Sequence, residues 1–285
     1  MGNRKPSRPA TRRFTEFKLD EPDPQRSPEL AAILKDLEGQ PSILHMLSFY
    51  QKKLEKDASP GNPYLAKLAW LFRHGQAIDL KGHYYGITLV LRQGDYPFGG
   101  ILNLLWGQTV GPVSPWAGKS FKPAAKVTLT RYTEGAEAGE LPAFRGINCF
   151  NRVARSFWNK AGIEFMTFWV GLKKAPPSER KRYGYERKGG FFIARAAESV
   201  DPANAGKKVL QLNYRWPKLG NPPPLSYLID EVVEIADGLY LGQLLFAGDI
   251  LTAYDPAGPS ADYRYANWGY FLLMDGAWHR KGGTL

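Results

Sequence analysis

The chain has a single cysteine, Cys149, among 285 residues. One thiol excludes an intramolecular disulfide and a cysteine-built metal cluster, and it suits a reducing cytoplasm. The neighbours Asn148 and Phe150 supply no base, so Cys149 reads as a buried structural thiol rather than a nucleophile. Histidine is scarce as well. His45, His74, His83 and His279 are the only 4, and no two stand at the spacing of a metal pair on one helix or strand. A zinc site is not expected. One axial histidine would still serve haem, with His83 the leading candidate, but no C-x-x-C-H sequence exists for covalent attachment.

Signatures of nucleotide and hydrolase chemistry are missing too. Gly99 and Gly100 lack P-loop context, no G-x-G-x-x-G opens a helix after a strand, and no G-x-S-x-G elbow occurs. Beyond the haem alternative, no cofactor is implied. No run approaches the ~18 apolar residues that cross a bilayer. Residues 1–27 carry Arg4, Lys5, Arg8, Arg12 and Arg13 without an apolar stretch that could act as a secretory core. The expectation is a soluble, cytoplasmic protein.

Acidic charge is in deficit, leaving a formal net charge of +11. Part of the excess lies in the N-terminal residues just named. The rest includes Lys173, Lys174, Arg180, Lys181, Arg182, Arg187 and Lys188, which flank Pro176, Pro177 and Gly184 in what reads as a hairpin loop. A tail and a loop can be solvated without any partner; adsorption to an anionic membrane surface is the functional alternative. Nucleic acid is the weaker reading, since no helix-turn-helix, zinc finger or ribonucleoprotein motif accompanies the charge.

What the chain does have is aromatic and β-branched sequence in short runs. With 8 Trp, 15 Tyr and 15 Phe it can line a pleated, half-buried surface. Runs near 80–91, 125–132, 163–171, 190–197, 208–216, 228–236, 239–247 and 268–275 are separated by Gly, Pro, Asn and Asp clusters without βα alternation. That pattern reads as one antiparallel barrel or sandwich, and about eight strands closed into a barrel would leave room for one small ligand. Before them, Leu30, Ile33, Leu34 and Leu37, then Ile43, Leu44, Leu47, Tyr50 and Leu54, and then Leu65, Leu68, Leu71 and Phe72 repeat at helical intervals. Asn62 followed by Pro63 marks the third start. The expected organisation is a basic, mobile tail over 1–27, a helical segment over 28–76 packed on the barrel's outer wall or an open end, and a mainly β domain over 77–285. Two long inserts, 98–118 with a short helix at Ile101–Trp106 and 144–160 with Phe150, Val153, Phe157 and Trp158 on one helical face, are placed to close a cavity mouth.

Polar residues embedded in these apolar runs are the candidate site. Asn213, Tyr214 and Arg215 end one run and Asp230 and Glu231 open the next, so Arg215 is expected to pair with Asp230 or Glu231 at the rim, or to bind a ligand carboxylate. Asp230 could instead serve as a base, and Lys119 as an anion anchor or as a lysine whose stem covers apolar surface. His83, Tyr85, Trp106, Trp116, Tyr240 and Tyr270 complete the candidate lining, with alternation sending only about half of the strand residues inward.

Three segments resemble small bacterial lipocalin-like proteins. Gly82-His-Tyr84-Tyr-Gly86 is similar to their G-x-W-x-G opening, with tyrosine in place of tryptophan. Trp116-Ala-Gly-Lys-Ser-Phe121 is similar to their W-x-G-K-x-F segment, and Gly269-Tyr-Phe-Leu-Leu273 resembles their last strand. The resemblance implies a calycin barrel that binds a small hydrophobic molecule. Three functions therefore stand at this stage. The first is binding of an apolar guest, with or without an acid group, such as a fatty acid, isoprenoid, polyketide or sterol. The second is an enzyme acting on such a guest, either a cofactor-independent isomerase, cyclase or hydrolase or a haem oxidoreductase. The third is a module that docks on anionic membranes.

Overall fold

A computed structural model describes residues 13–20, 23–92, 110–111, 114–135, 142–151 and 157–282. Three helices come first: α1 (Pro28–Leu37), α2 (Ile43–Leu54) and α3 (Pro63–His74). Each begins where the sequence supplies a cap. The side chains of Ser27, Ser42 and Asn62 accept the backbone N–H of Leu30, His45 and Tyr64, and Pro28 and Pro63 occupy first-turn positions that need no N–H donor.

Nine strands follow: β1 (Gly82–Leu91), β2 (Trp116–Pro123), β3 (Ala143–Phe150), β4 (Lys173–Lys174), β5 (Arg187–Glu198), β6 (Lys208–Asn213), β7 (Leu228–Ala236), β8 (Leu239–Ala247) and β9 (Tyr265–Met274). Four further helices are α4 (Lys126–Thr133), α5 (Phe157–Trp169), α6 (Pro177–Tyr183) and α7 (Gly276–Gly282). All strand pairings are antiparallel. The ladder runs β3-β2-β1-β9-β8-β7-β6-β5, and β3 pairs with β5 to close it, giving an eight-stranded barrel of calycin and lipocalin-like architecture. The two-residue β4 lies on the edge of β5 at Arg187 and Lys188, while β6 joins that edge only from Ile193 onward. Between them the wall has a seam. There, Asn221 Nδ2 donates to the carbonyls of Phe191 at 2.7 Å and Tyr214 at 3.0 Å.

Period-two alternation sorts side chains to two faces. Inside, Phe121, Phe192, Tyr214, Phe246, Trp268 and Phe271 form a buried aromatic core. Their rings meet edge to face or tilted, as in Phe121–Phe192 at 5.5 Å and Phe246–Trp268 at 5.6 Å, and they fill much of the barrel. Outside, Leu241, Leu272 and Met274 of the wall bury the apolar stripes of α1 to α3 and Trp278 of α7. The helical preface thus rests on the outer wall.

Several expectations need correction. Residues 126–133 and 157–169 are helices, not strands; the strands in their place are β2 and β3. The basic stretch 173–188 is not one loop, but β4 followed by α6 and the start of β5. Part of the expected mobile tail is fastened: Leu19 bridges to Gly75, Lys18 N donates to the Ile235 carbonyl at 2.8 Å, and Phe14 sits 4.8 Å edge-on to Trp278. Phe14, Phe17 and Leu19 carry the apolar contact that the surrounding charge obscures. No helix among the described residues is long and apolar enough to cross a membrane. Trp106 and the expected helix at Ile101–Trp106 lie outside the described residues.

Candidate functional site

The barrel interior contains one dense polar cluster, and a backbone irregularity builds it. Trp116 and Lys119 are three residues apart, so a regular strand would send them to opposite faces. A bulge between Trp116 and Gly118 turns both inward. Gly118 makes this possible with φ of 123°, and a Cβ there would lie 2.1 Å from the Tyr84 carbonyl. Opposite them, alternation brings Asn148 in from β3 and Asp230 from β7, while Tyr214 enters just beyond β6.

Lys119 is 3% exposed, and its Nζ has three acceptors: Tyr214 Oη at 2.6 Å, Asn148 Oδ1 at 2.7 Å and Asp230 Oδ2 at 2.9 Å. An ammonium has three N–H donors, so this set uses them all. Four rings surround the charge, with the centroids of Phe192, Phe271, Tyr214 and Trp116 at 5.2, 5.2, 5.3 and 5.4 Å. Burial pushes the Lys119 pKa below the ordinary lysine value, opposed by the attraction of Asp230. Tyr214 Oη donates to Asp230 Oδ2 at 2.9 Å, and burial together with that carboxylate raises its pKa well above the usual phenol value. Trp116 Nε1 donates to Asn148 Oδ1 at 3.2 Å, and Asn148 Nδ2 donates to the Gly190 carbonyl at 3.2 Å.

Asp230 Oδ2 therefore accepts two bonds, while its Oδ1 is buried with no hydrogen-bond partner among the described residues. Asp230, Lys119, Tyr214 and Asn148 line a cavity of about 40 Å³ whose remaining wall is mainly apolar, with Leu225, Leu228, Leu244 and Phe271 among its residues. Met166 and Val170 reach the cavity from the α5 region, and Gly189 and Gly190 line it beside the seam.

The expected site residues divide between the two faces. Trp116, Lys119 and Asp230 meet at the cavity, whereas Tyr240 points inward onto Tyr84 at 5.3 Å and does not line it. Arg215 does not pair with Asp230 or Glu231. It lies outside the barrel, bonded to Tyr265 Oη and with its guanidinium 4.1 Å from the Tyr263 ring centroid, because Asn213 and Arg215 follow the outward phase and Tyr214 the inward one. Asn213 accordingly donates to Tyr254 Oη at 2.6 Å. Glu231 also faces out, under Ser199 and Val200, and Tyr270 is buried beneath the helices. His83 and Tyr85 share the outer face of β1. The His83 Nδ1 bonds Ser120 Oγ at 2.9 Å on that outer side, away from any group held inside the barrel, and burial lowers its pKa to about 4. Cys149 is buried, with its pKa pushed up to about 11 by desolvation. Among the described residues no cluster of three or more His, Cys, Asp or Glu could hold a metal ion.

Asn148 is the site residue with no signal in the sequence analysis, and Tyr214, noted there among the embedded polar residues, is given no place in the lining. Once β3 is recognised, Phe144, Gly146, Asn148 and Phe150 alternate inward, and Asn148 is the one polar side chain in that series. Compared with protein-family models, curated proteins and solved structures, the chain matches none.

Proposed function

We propose that this protein binds a small molecule in the barrel cavity through a group that donates a hydrogen bond to Asp230 Oδ1. The unpartnered oxygen of Asp230 carries the reading, because a buried acceptor without a donor is unfavourable and a guest hydroxyl or N–H removes that cost. An apolar wall with few convergent polar groups is the composition of a ligand site.

The same geometry argues against an acid as guest. Lys119 has its three donors engaged inside the protein, and Arg215 is on the other side of the wall. A guest carboxylate would meet the Asp230 oxygen instead, at a like-charge penalty. Size is limited too. A cavity of about 40 Å³ is far smaller than the ~150 Å³ apolar cavity that accommodates benzene. The guest enters as a small alcohol or amine, or as the head of a larger molecule whose apolar body extends toward Met166 and Val170. With at most ~1.5 kcal/mol per heavy atom, a guest of about four such atoms binds no tighter than tens of micromolar.

Ligand-observed NMR with a panel of small alcohols, amines, ketones and carboxylates tests this. The wild-type protein should favour donors over carboxylates. Asp230→Asn, with its amide oxygen kept on Lys119 and Tyr214, turns an N–H toward the cavity and should shift preference to ketones. An unchanged ranking, or carboxylates binding as well as alcohols, would refute the proposal.

A further inference from the structure

The helix α5 has two apolar faces. At 100° per residue, Phe157, Ala161, Phe165 and Phe168 fall within a sector of about 80°. The opposite side, with Gly162, Ile163 and Met166, is buried over the barrel. Thr167, Lys160 and Glu164 form a polar stripe along one side of the helix, and beside it Phe157 is 75% exposed, Phe168 84%, Trp169 45% and Phe165 37%. Burying its inner face therefore leaves these aromatic side chains largely exposed among the described residues.

Exposed cations lie close to these aromatics in the chain. Lys160 is exposed on the helix, and Lys173 and Lys174 are exposed on β4 immediately after it, with no ion pair for any of the three among the described residues. The acidic residue of the face, Glu164, is 3.3 Å from Arg187 and so partly neutralised. Aromatic side chains beside free lysines match the boundary between lipid headgroups and acyl chains, where rings insert and ammonium groups meet anionic headgroups. A twofold contact with a second copy is the poorer fit. It sets one patch against itself and brings Lys160, Lys173 and Lys174 toward their own equivalents in a protein of formal charge +11.

We propose that the outer face of α5 docks on an anionic lipid surface, with Phe157, Phe165 and Phe168 inserting, Trp169 at the margin where its Nε1 donates to the Pro223 carbonyl at 2.6 Å, and Lys160, Lys173 and Lys174 contacting headgroups. Because α5 also supplies Met166 to the cavity wall, docking places the cavity next to the bilayer. This surface differs from the N-terminal tail, and it stands apart from the identity of any guest.

The test is co-sedimentation of the full chain with vesicles of equal phosphatidylglycerol and phosphatidylcholine, at low and at high salt. Wild type should bind at low salt and lose affinity steeply with salt, as it should on pure phosphatidylcholine. Replacing Lys160, Lys173 and Lys174 together by Gln should weaken binding roughly 100-fold, at about fivefold per cation. Phe157→Ser with Phe168→Ser should weaken it roughly tenfold or more through lost apolar burial. These side chains are exposed, so unchanged circular dichroism and unfolding midpoints are expected. Brominated acyl chains should quench a fluorescence component that disappears in Trp169→Phe. Equal binding to neutral vesicles, undiminished binding of the phenylalanine variant, or concentration-dependent self-association without vesicle binding would each overturn the proposal. Failure of the Asp230→Asn panel would leave it standing, so the two readings fail separately.

Discussion

Replacing Lys119 with methionine removes one charge of a buried pair and leaves most of the side-chain volume. The two charged groups are 2.9 Å apart. At an effective dielectric constant of ~20 their attraction is about 6 kcal/mol, against a desolvation penalty of several kcal/mol for each ion. The pair as a whole therefore contributes little net stability compared with apolar packing. Losing one partner is different, because Asp230 keeps its desolvation cost and loses its countercharge, while Asn148 Oδ1 and Tyr214 Oη lose a donor. Lys119→Met should lower unfolding free energy by about 3–5 kcal/mol. Combining it with Asp230→Asn removes the stranded charge, so the double variant should be more stable than Lys119→Met alone. Urea unfolding at neutral pH, followed by circular dichroism, measures all four corners of that cycle. If Lys119→Met costs under about 1 kcal/mol, or if the two losses simply add, the pair is not the keystone inferred from these distances.

Two outward-facing groups should set opposite pH dependences. Burial raises Glu231 to about 7, so the folded state binds its proton more tightly than the unfolded chain. The resulting stability is present below the ordinary carboxylate pKa and is lost as pH rises through 7. His83 is lowered to about 4, so its contribution is present above the ordinary histidine pKa and is lost as pH falls through 4. Each shift corresponds to about 3 kcal/mol, and between pH 4.5 and 6.5 the two should largely cancel. Glu231→Gln should unmask the histidine, giving an unfolding free energy that rises with pH across this window; an unchanged profile would refute the Glu231 assignment. Gly118→Ala should cost several kcal/mol or prevent folding, since it adds a Cβ at positive φ into the Tyr84 carbonyl; thermal unfolding near the wild-type midpoint would contradict the bulge.

The second half of the barrel was readable in the chain because β5 to β9 consist of aromatic and β-branched runs between turn residues. β1 was readable too, as the run near 80–91, but the two strands after it were not. β2 and β3 contain glycine, lysine, arginine and asparagine in place of regular apolar alternation, while Val127, Thr128, Thr130 and Tyr132 give the helix α4 a strand-like composition. Three capped helices were legible to within a residue or two, since Ser27, Ser42, Asn62, Pro28 and Pro63 mark local events. Lys119 and Asp230 were each recognisable as polar residues in apolar surroundings. Their meeting was not, because it depends on ring closure between β3 and β5 and on an inward bulge that local sequence does not fix. The same uncertainty of phase reversed Arg215 and Tyr214: one residue's shift decides which side of a wall a side chain occupies.

The gap along β5 has a consequence for traffic. Parting a continuous barrel would require breaking ladder bonds between neighbouring strands, but beside Gly189 and Gly190 the wall is completed by side chains, with Leu172 and Leu225 lining the cavity and Asn221 making two hydrogen bonds across the opening. A molecule passing there displaces a leucine and an amide while every rung of the barrel stays intact. Among the described residues that flank is thus closed by side chains and not by ladder bonds, and exchange of the proposed guest there would turn on how readily one asparagine lets go.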